Sequence, residues 1–85
     1  MSIIELEDCF NKLMGDENYK LQKTENIFVK RKDKNNLYLY NNTEIVTFMN
    51  IESFIYYMLK NFQNTSWMLI KLITIEYIVE KDINI

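Results

Sequence analysis

The sequence predicts a small two-layer α+β domain: a helix, a three- or four-stranded antiparallel meander, a second helix, and a C-terminal strand or helix. Three observations carry this. Apolar residues recur at helical spacing near each end of residues 2 to 62, and the stretch between them alternates with a period of two. At 85 residues the chain is one domain, 1–85, with only enough apolar material for a single core. Two amphipathic helices bury their stripes most simply on one face of a sheet, which leaves the other face open.

The first helix spans residues 2 to 14, SIIELEDCFNKLM. Ser2 and Glu5 have the spacing of a capping box, Ile3, Leu6, Phe10, Leu13 and Met14 form the apolar stripe, and Gly15 is expected in a left-handed C-terminal cap. The meander follows as YKLQK (19 to 23), IFVKRK (27 to 32) and LYLYN (37 to 41), separated by TEN and DKNN. TEIVTFM (43 to 49) either extends the third strand past a bulge at Asn41 and Asn42 or forms a short fourth. In NIESFIYYMLKNF, residues Ile51, Phe54, Ile55, Met58, Leu59 and Phe62 share one helical face, and Asn50 is placed to cap it. The segment from Ser66 to Glu80 is apolar at nearly every position and rich in β-branched residues, which favours one long bent strand over a buried helix.

Composition excludes much chemistry. The chain has no histidine, a single cysteine and one glycine. Zinc coordination, a histidine-based proton relay and a glycine-rich phosphate loop are therefore all out of reach. No calcium-type loop is present, no cofactor or catalytic residue is assigned, and Cys9 reads as structural. The longest unbroken apolar run, WMLI, is far short of a membrane span, and no secretory leader is visible. A soluble, cytoplasmic, non-enzymatic protein is expected. Asn, Lys, Ile, Tyr and Phe make up 43 of the 85 residues and Gly, Ala, Arg and Pro only 2, the codon bias of an AT-rich gene such as that of a low-GC bacterium or a phage.

Charge is bipolar along the chain. Residues 1 to 18 carry net −4, residues 19 to 40 net +4, and residues 41 to 85 net −2. Each pole can steer a partner of opposite sign. The acidic group is Glu5, Glu7, Asp8, Asp16 and Glu17. On the basic hairpin, alternation sets Ile27, Val29, Leu37 and Leu39 toward the core, and Phe28, Lys30, Lys32, Tyr38 and Tyr40 on the opposite face. Rings among lysines make a stacking platform for single-stranded nucleic acid, or simply a hairpin held by cross-strand aromatic pairs. On the second helix, Tyr56 lies opposite the apolar stripe and Tyr57 on its flank, beside Lys60, a composition suited to a protein contact.

The order helix, meander, helix is similar to that of double-stranded RNA-binding domains, but the stretch NIESFIYY has an acid where that family places a lysine-rich motif. Residues 2 to 62, through SIIELEDCF, IFVKRKDKNNLYLY and NIESFIYYMLKNF, also resemble small phage-encoded anti-CRISPR proteins. That resemblance implies a phage or mobile-element inhibitor that binds a CRISPR effector complex in the host cytoplasm. The acidic helix with Glu5, Glu7, Asp8, Asp16 and Glu17 would then mimic phosphates, and Tyr56, Tyr57 and Lys60 would add a second contact. The alternative expectation is a single-stranded nucleic-acid-binding domain that uses Phe28, Lys30, Lys32, Tyr38 and Tyr40.

Overall fold

The computed structural model describes residues 3–85. The elements are α1 (Ile3–Gly15), β1 (Tyr19–Thr24), β2 (Ile27–Asp33), β3 (Asn36–Asn41), β4 (Glu44–Phe48), α2 (Ile51–Asn61), β5 (Ser66–Ile73) and β6 (Glu76–Asn84). The strands form one antiparallel sheet of six in the order β4-β3-β2-β1-β5-β6. The expected two-layer α+β architecture is what the chain adopts.

Local chemistry sets the element ends. The Ser2 cap lies outside the described residues. Gly15 does not take the left-handed conformation and instead belongs to the last turn of α1. The work of ending the helix passes to Asp16, whose backbone N–H bonds the Lys12 carbonyl at 3.1 Å while its carboxylate accepts from the Asn18 N–H at 2.9 Å. At α2 the Asn50 side chain accepts from the Ser53 N–H at 2.8 Å, the expected N-cap.

Two expectations are refined. TEIVTFM forms a separate fourth strand, because Asn42 turns the chain with φ 55° instead of bulging it. The C-terminal segment is a hairpin of two strands, not one bent strand, with its turn at Thr74 and Ile75. Thr74 has φ 60°, a conformation that β-branched residues rarely adopt, so no residue there announces the turn.

One side of the sheet packs on both helices. Leu6, Cys9 and Leu13 of α1, with Phe54 and Met58 of α2, meet Leu21, Val29, Leu37, Leu39, Trp67, Leu69 and Ile83 of the sheet, all buried. Phe54 anchors the layer, with ring centroids 5.7 Å from Phe10 and 5.5 Å from Phe48. Cys9 thus sits at the centre of the α1 stripe, and Ile3, expected inside, is half exposed.

Candidate interaction surface: the open face of the sheet

Both helices lie on one side of the sheet, so the residues of opposite parity form a second face with no layer above it. Register defines that face row by row. In one row, Ile45, Tyr40, Phe28, Gln22 and Met68 stand side by side from β4 to β5. In the next, Thr47, Tyr38, Lys30, Lys20, Ile70 and Val79 span the full width. Leu72 and Tyr77 continue it at the β5–β6 end. The β2–β4 side is aromatic, the β5–β6 side is aliphatic, and lysines separate them.

Phe28, Lys30, Lys32, Tyr38 and Tyr40, the residues that alternation sets outward, share this face. Phe28 packs against Tyr40 with centroids 5.3 Å apart and edge-on to Tyr38 at 6.1 Å, so cross-strand pairing holds the rings upright. Lys32 is exposed and, with Tyr38 and Ile45, lines a shallow groove of about 340 Å³. Lys30 reaches over the sheet end to donate to the Glu17 carbonyl at 2.7 Å.

Lys20 belongs to the same site. It faces Lys30 directly across the β1–β2 register, and its ammonium lies 4.2 Å from the Phe28 ring centroid and 5.4 Å from that of Tyr77. Burial, and then the charge of Lys30, lower its pKa below the ordinary lysine value. Like charges placed directly opposite each other in a sheet are unfavourable, and here no carboxylate is ion-paired to either one among the described residues. Pairing YKLQK with IFVKRK about the TEN turn would have found this residue. Met68, Ile70, Leu72 and Val79 were harder to place, because their segment is apolar on both faces.

Of the acidic group, Glu5, Glu7 and Asp8 lie on α1 and Asp16 and Glu17 follow it, while on the open face Asp82 stands opposite Met68. Glu5 pairs with Lys81 at 3.5 Å, Asp8 with Lys12 at 3.4 Å and Asp16 with Lys71 at 3.4 Å. Hydrogen bonds from the Asn18 backbone, followed by Lys71, lower the Asp16 pKa. Glu7 and Glu17 have no ion pair among the described residues. On α2, Tyr57 is drawn into the core edge against Phe48 at 5.3 Å, while Tyr56 stays exposed and accepts from Lys60 at 3.3 Å. The structure therefore splits this trio.

Among the described residues no three of the carboxylates and Cys9 converge on a metal-binding geometry. Burial, and then Asp8, push the Cys9 thiol up to about 11, so it stays protonated. Among the described residues no helix is long and apolar enough to cross a membrane. Comparison with family models, curated proteins and solved structures finds no match, and the reading of this surface rests on its own chemistry.

Proposed function

We propose that this protein is a non-enzymatic binding module that takes single-stranded nucleic acid on the open face of its sheet. The observation that carries this is the Lys20–Lys30 pair, two cations in register at the centre of an aromatic and aliphatic surface with no carboxylate paired to them. An anionic backbone crossing the sheet would relieve their repulsion, while bases stack on Phe28, Tyr38 and Tyr40. The carboxylates behave in the opposite way, since three of the five on and after α1 already meet lysines of the same molecule.

Fluorescence anisotropy with a labelled mixed-sequence oligonucleotide tests it. If Lys20, Lys30 and Lys32 neutralise about three phosphates, affinity falls roughly twentyfold between ~50 and ~200 mM salt. Tyr38→Ala weakens binding at fixed salt by about 1 to 3 kcal/mol, because stacking is separate from the charge contribution. Lys20→Met weakens binding and leaves the fold intact, since it also removes a repulsion. No binding at tens of micromolar protein in low salt overturns the reading.

A second reading keeps the anti-CRISPR-like inhibitor, a protein that binds a host nucleoprotein effector through its helices. It is favoured by Tyr56, 65% exposed on α2, and by Glu7 and Glu17. Capture from a bacterial lysate treated with nuclease separates the two. A nuclease-resistant protein partner, lost on Tyr56→Ala and retained on Tyr38→Ala, belongs to this reading.

A further inference from the structure

Strand β6 closes one side of the sheet and has no strand beyond it. Such an edge presents a row of main-chain donors and acceptors, and proteins normally blunt it with shortness, lysine or proline. The opposite edge, β4, follows that rule with five residues, whereas β6 has nine and keeps its bulge and charges, Glu80, Lys81 and Asp82, in its C-terminal half. Between Glu76 and the bulge at Glu80, β6 reads Tyr77, Ile78, Val79, with no blunting residue among them. All three are exposed, at 41%, 53% and 52%, and Ile75 at the hairpin tip is 89% exposed. Apolar side chains therefore project on both faces of a free edge, and on the helix side they line a depression of about 350 Å³ with Lys71, Ile73 and Glu80.

We propose that this edge pairs with a second copy of the chain, β6 against β6, antiparallel about a twofold axis at Ile78. What the edge can take is another extended strand, and the apolar centre of β6, Tyr77 to Val79, is complementary to itself in one register. A twofold axis perpendicular to a sheet keeps each face continuous, so a residue can face only residues of its own parity. Tyr77 and Val79 lie on the open face, opposite Leu72 and Ile70, while Ile78 lies on the helix side, opposite Lys71. Centring the axis on Ile78 places Tyr77 against the second copy's Val79, Ile78 against Ile78, and Val79 against Tyr77. All three central positions match apolar with apolar on the correct face, while the flanking Glu76 faces the second copy's bulged Glu80, which confines the pairing to those three residues and weakens it. Moving the centre to Tyr77 sets Ile78 against Glu76, and moving it to Val79 sets Ile78 against the bulged Glu80.

The apolar area offered comes from three half-exposed side chains on each copy, below the size of a standard stable interface, so the dimer is a weak, concentration-dependent one. The product is a twelve-stranded sheet built from two six-stranded ones, with both open faces on the same side. This inference holds whatever ligand that face takes.

Sedimentation velocity from micromolar to near-millimolar protein tests it. The expected result is a monomer that becomes a dimer, and no larger species, as concentration rises. Ile78→Asp and Ile78→Lys each stay monomeric with an unchanged circular dichroism spectrum, and an equimolar mixture of the two restores the dimer, because the axis brings the unlike charges together. Ile78→Cys forms an oxidised dimer on a non-reducing gel. Glu52→Cys, on the exposed side of α2, does not, and the buried Cys9 contributes no background. A wild-type chain that is monomeric throughout, a dimer that survives in both charge variants, or equal cross-linking of Ile78→Cys and Glu52→Cys overturns the proposal.

Discussion

The hydroxyl of Tyr19, on central strand β1, donates a hydrogen bond of 3.0 Å to the carboxylate of Glu80, the bulged residue of edge strand β6. Lys12 of α1 approaches the same carboxylate at 3.9 Å, so helix, central strand and edge meet at one group. The bond to Glu80, and then burial, push the Tyr19 phenol up to about 12 from its ordinary 10.0, because both favour its neutral form. The stabilisation is therefore complete below pH 10 and is lost as pH rises toward 12. Tyr19→Phe is expected to cost about 1 kcal/mol near neutral pH and to remove one late phenolate from an absorbance titration. A titration curve that keeps its late step in Tyr19→Phe would assign that step elsewhere.

Phe54→Ala and Leu59→Ala separate the centre of the core from its flank. Phe54 is fully buried between Phe10 and Phe48, and its loss is expected to cost about 3 to 5 kcal/mol. Leu59 is only partly buried and its truncation is expected to cost about 1 to 2 kcal/mol. Urea denaturation checks both, and equal losses would mean that α2 is rotated from the position described.

Cys9 reacts as a buried thiol. Native protein at pH near 8 is expected to be labelled slowly by a thiol reagent, and the rate rises sharply across the denaturation midpoint. Cys9→Ala should be tolerated better than Cys9→Ser, because serine places a hydroxyl in an apolar site without a partner. Fast native labelling would show that α1 lifts readily from the sheet.

Thr74→Gly is expected to stabilise the fold by about 0.5 to 1 kcal/mol, since glycine accepts the φ of 60° at no steric cost. The checking measurement is a shift of the urea midpoint with an unchanged slope. Thr74→Val, which keeps the β-branch, should show no gain.

What the sequence discloses follows from how each segment buries itself. Val29, Leu37 and Leu39 lie inside and Phe28, Tyr38 and Tyr40 outside, as alternation requires, because each of those strands has one wet face. The β5–β6 hairpin is obscured for the converse reason. Its inner face carries Trp67 and Leu69 and its outer face carries Met68 and Ile70, so no period survives, and a threonine and an isoleucine occupy the turn where glycine or asparagine would mark it. The carboxylates of α1 read as a free acidic face, since Lys81, 76 positions further along, does not declare in sequence that it will return to Glu5. Tyr57 was drawn inward by Phe48, a contact between α2 and β4 that helical phase alone does not fix.

The strand order also governs the path by which the chain reaches this structure. Every strand pairing but one joins neighbours along the chain through a short turn, and the exception is β1 with β5, where Leu21 faces Leu69 across an intervening meander and helix. Closing that long loop is entropically the most demanding step, so the meander and the C-terminal hairpin can each form early while their docking sets the folding rate. Substitutions at this seam should slow folding. A chain emerging from the ribosome would hold β1 half-paired until β5 was made, with one side of its central strand waiting for the last quarter of the protein.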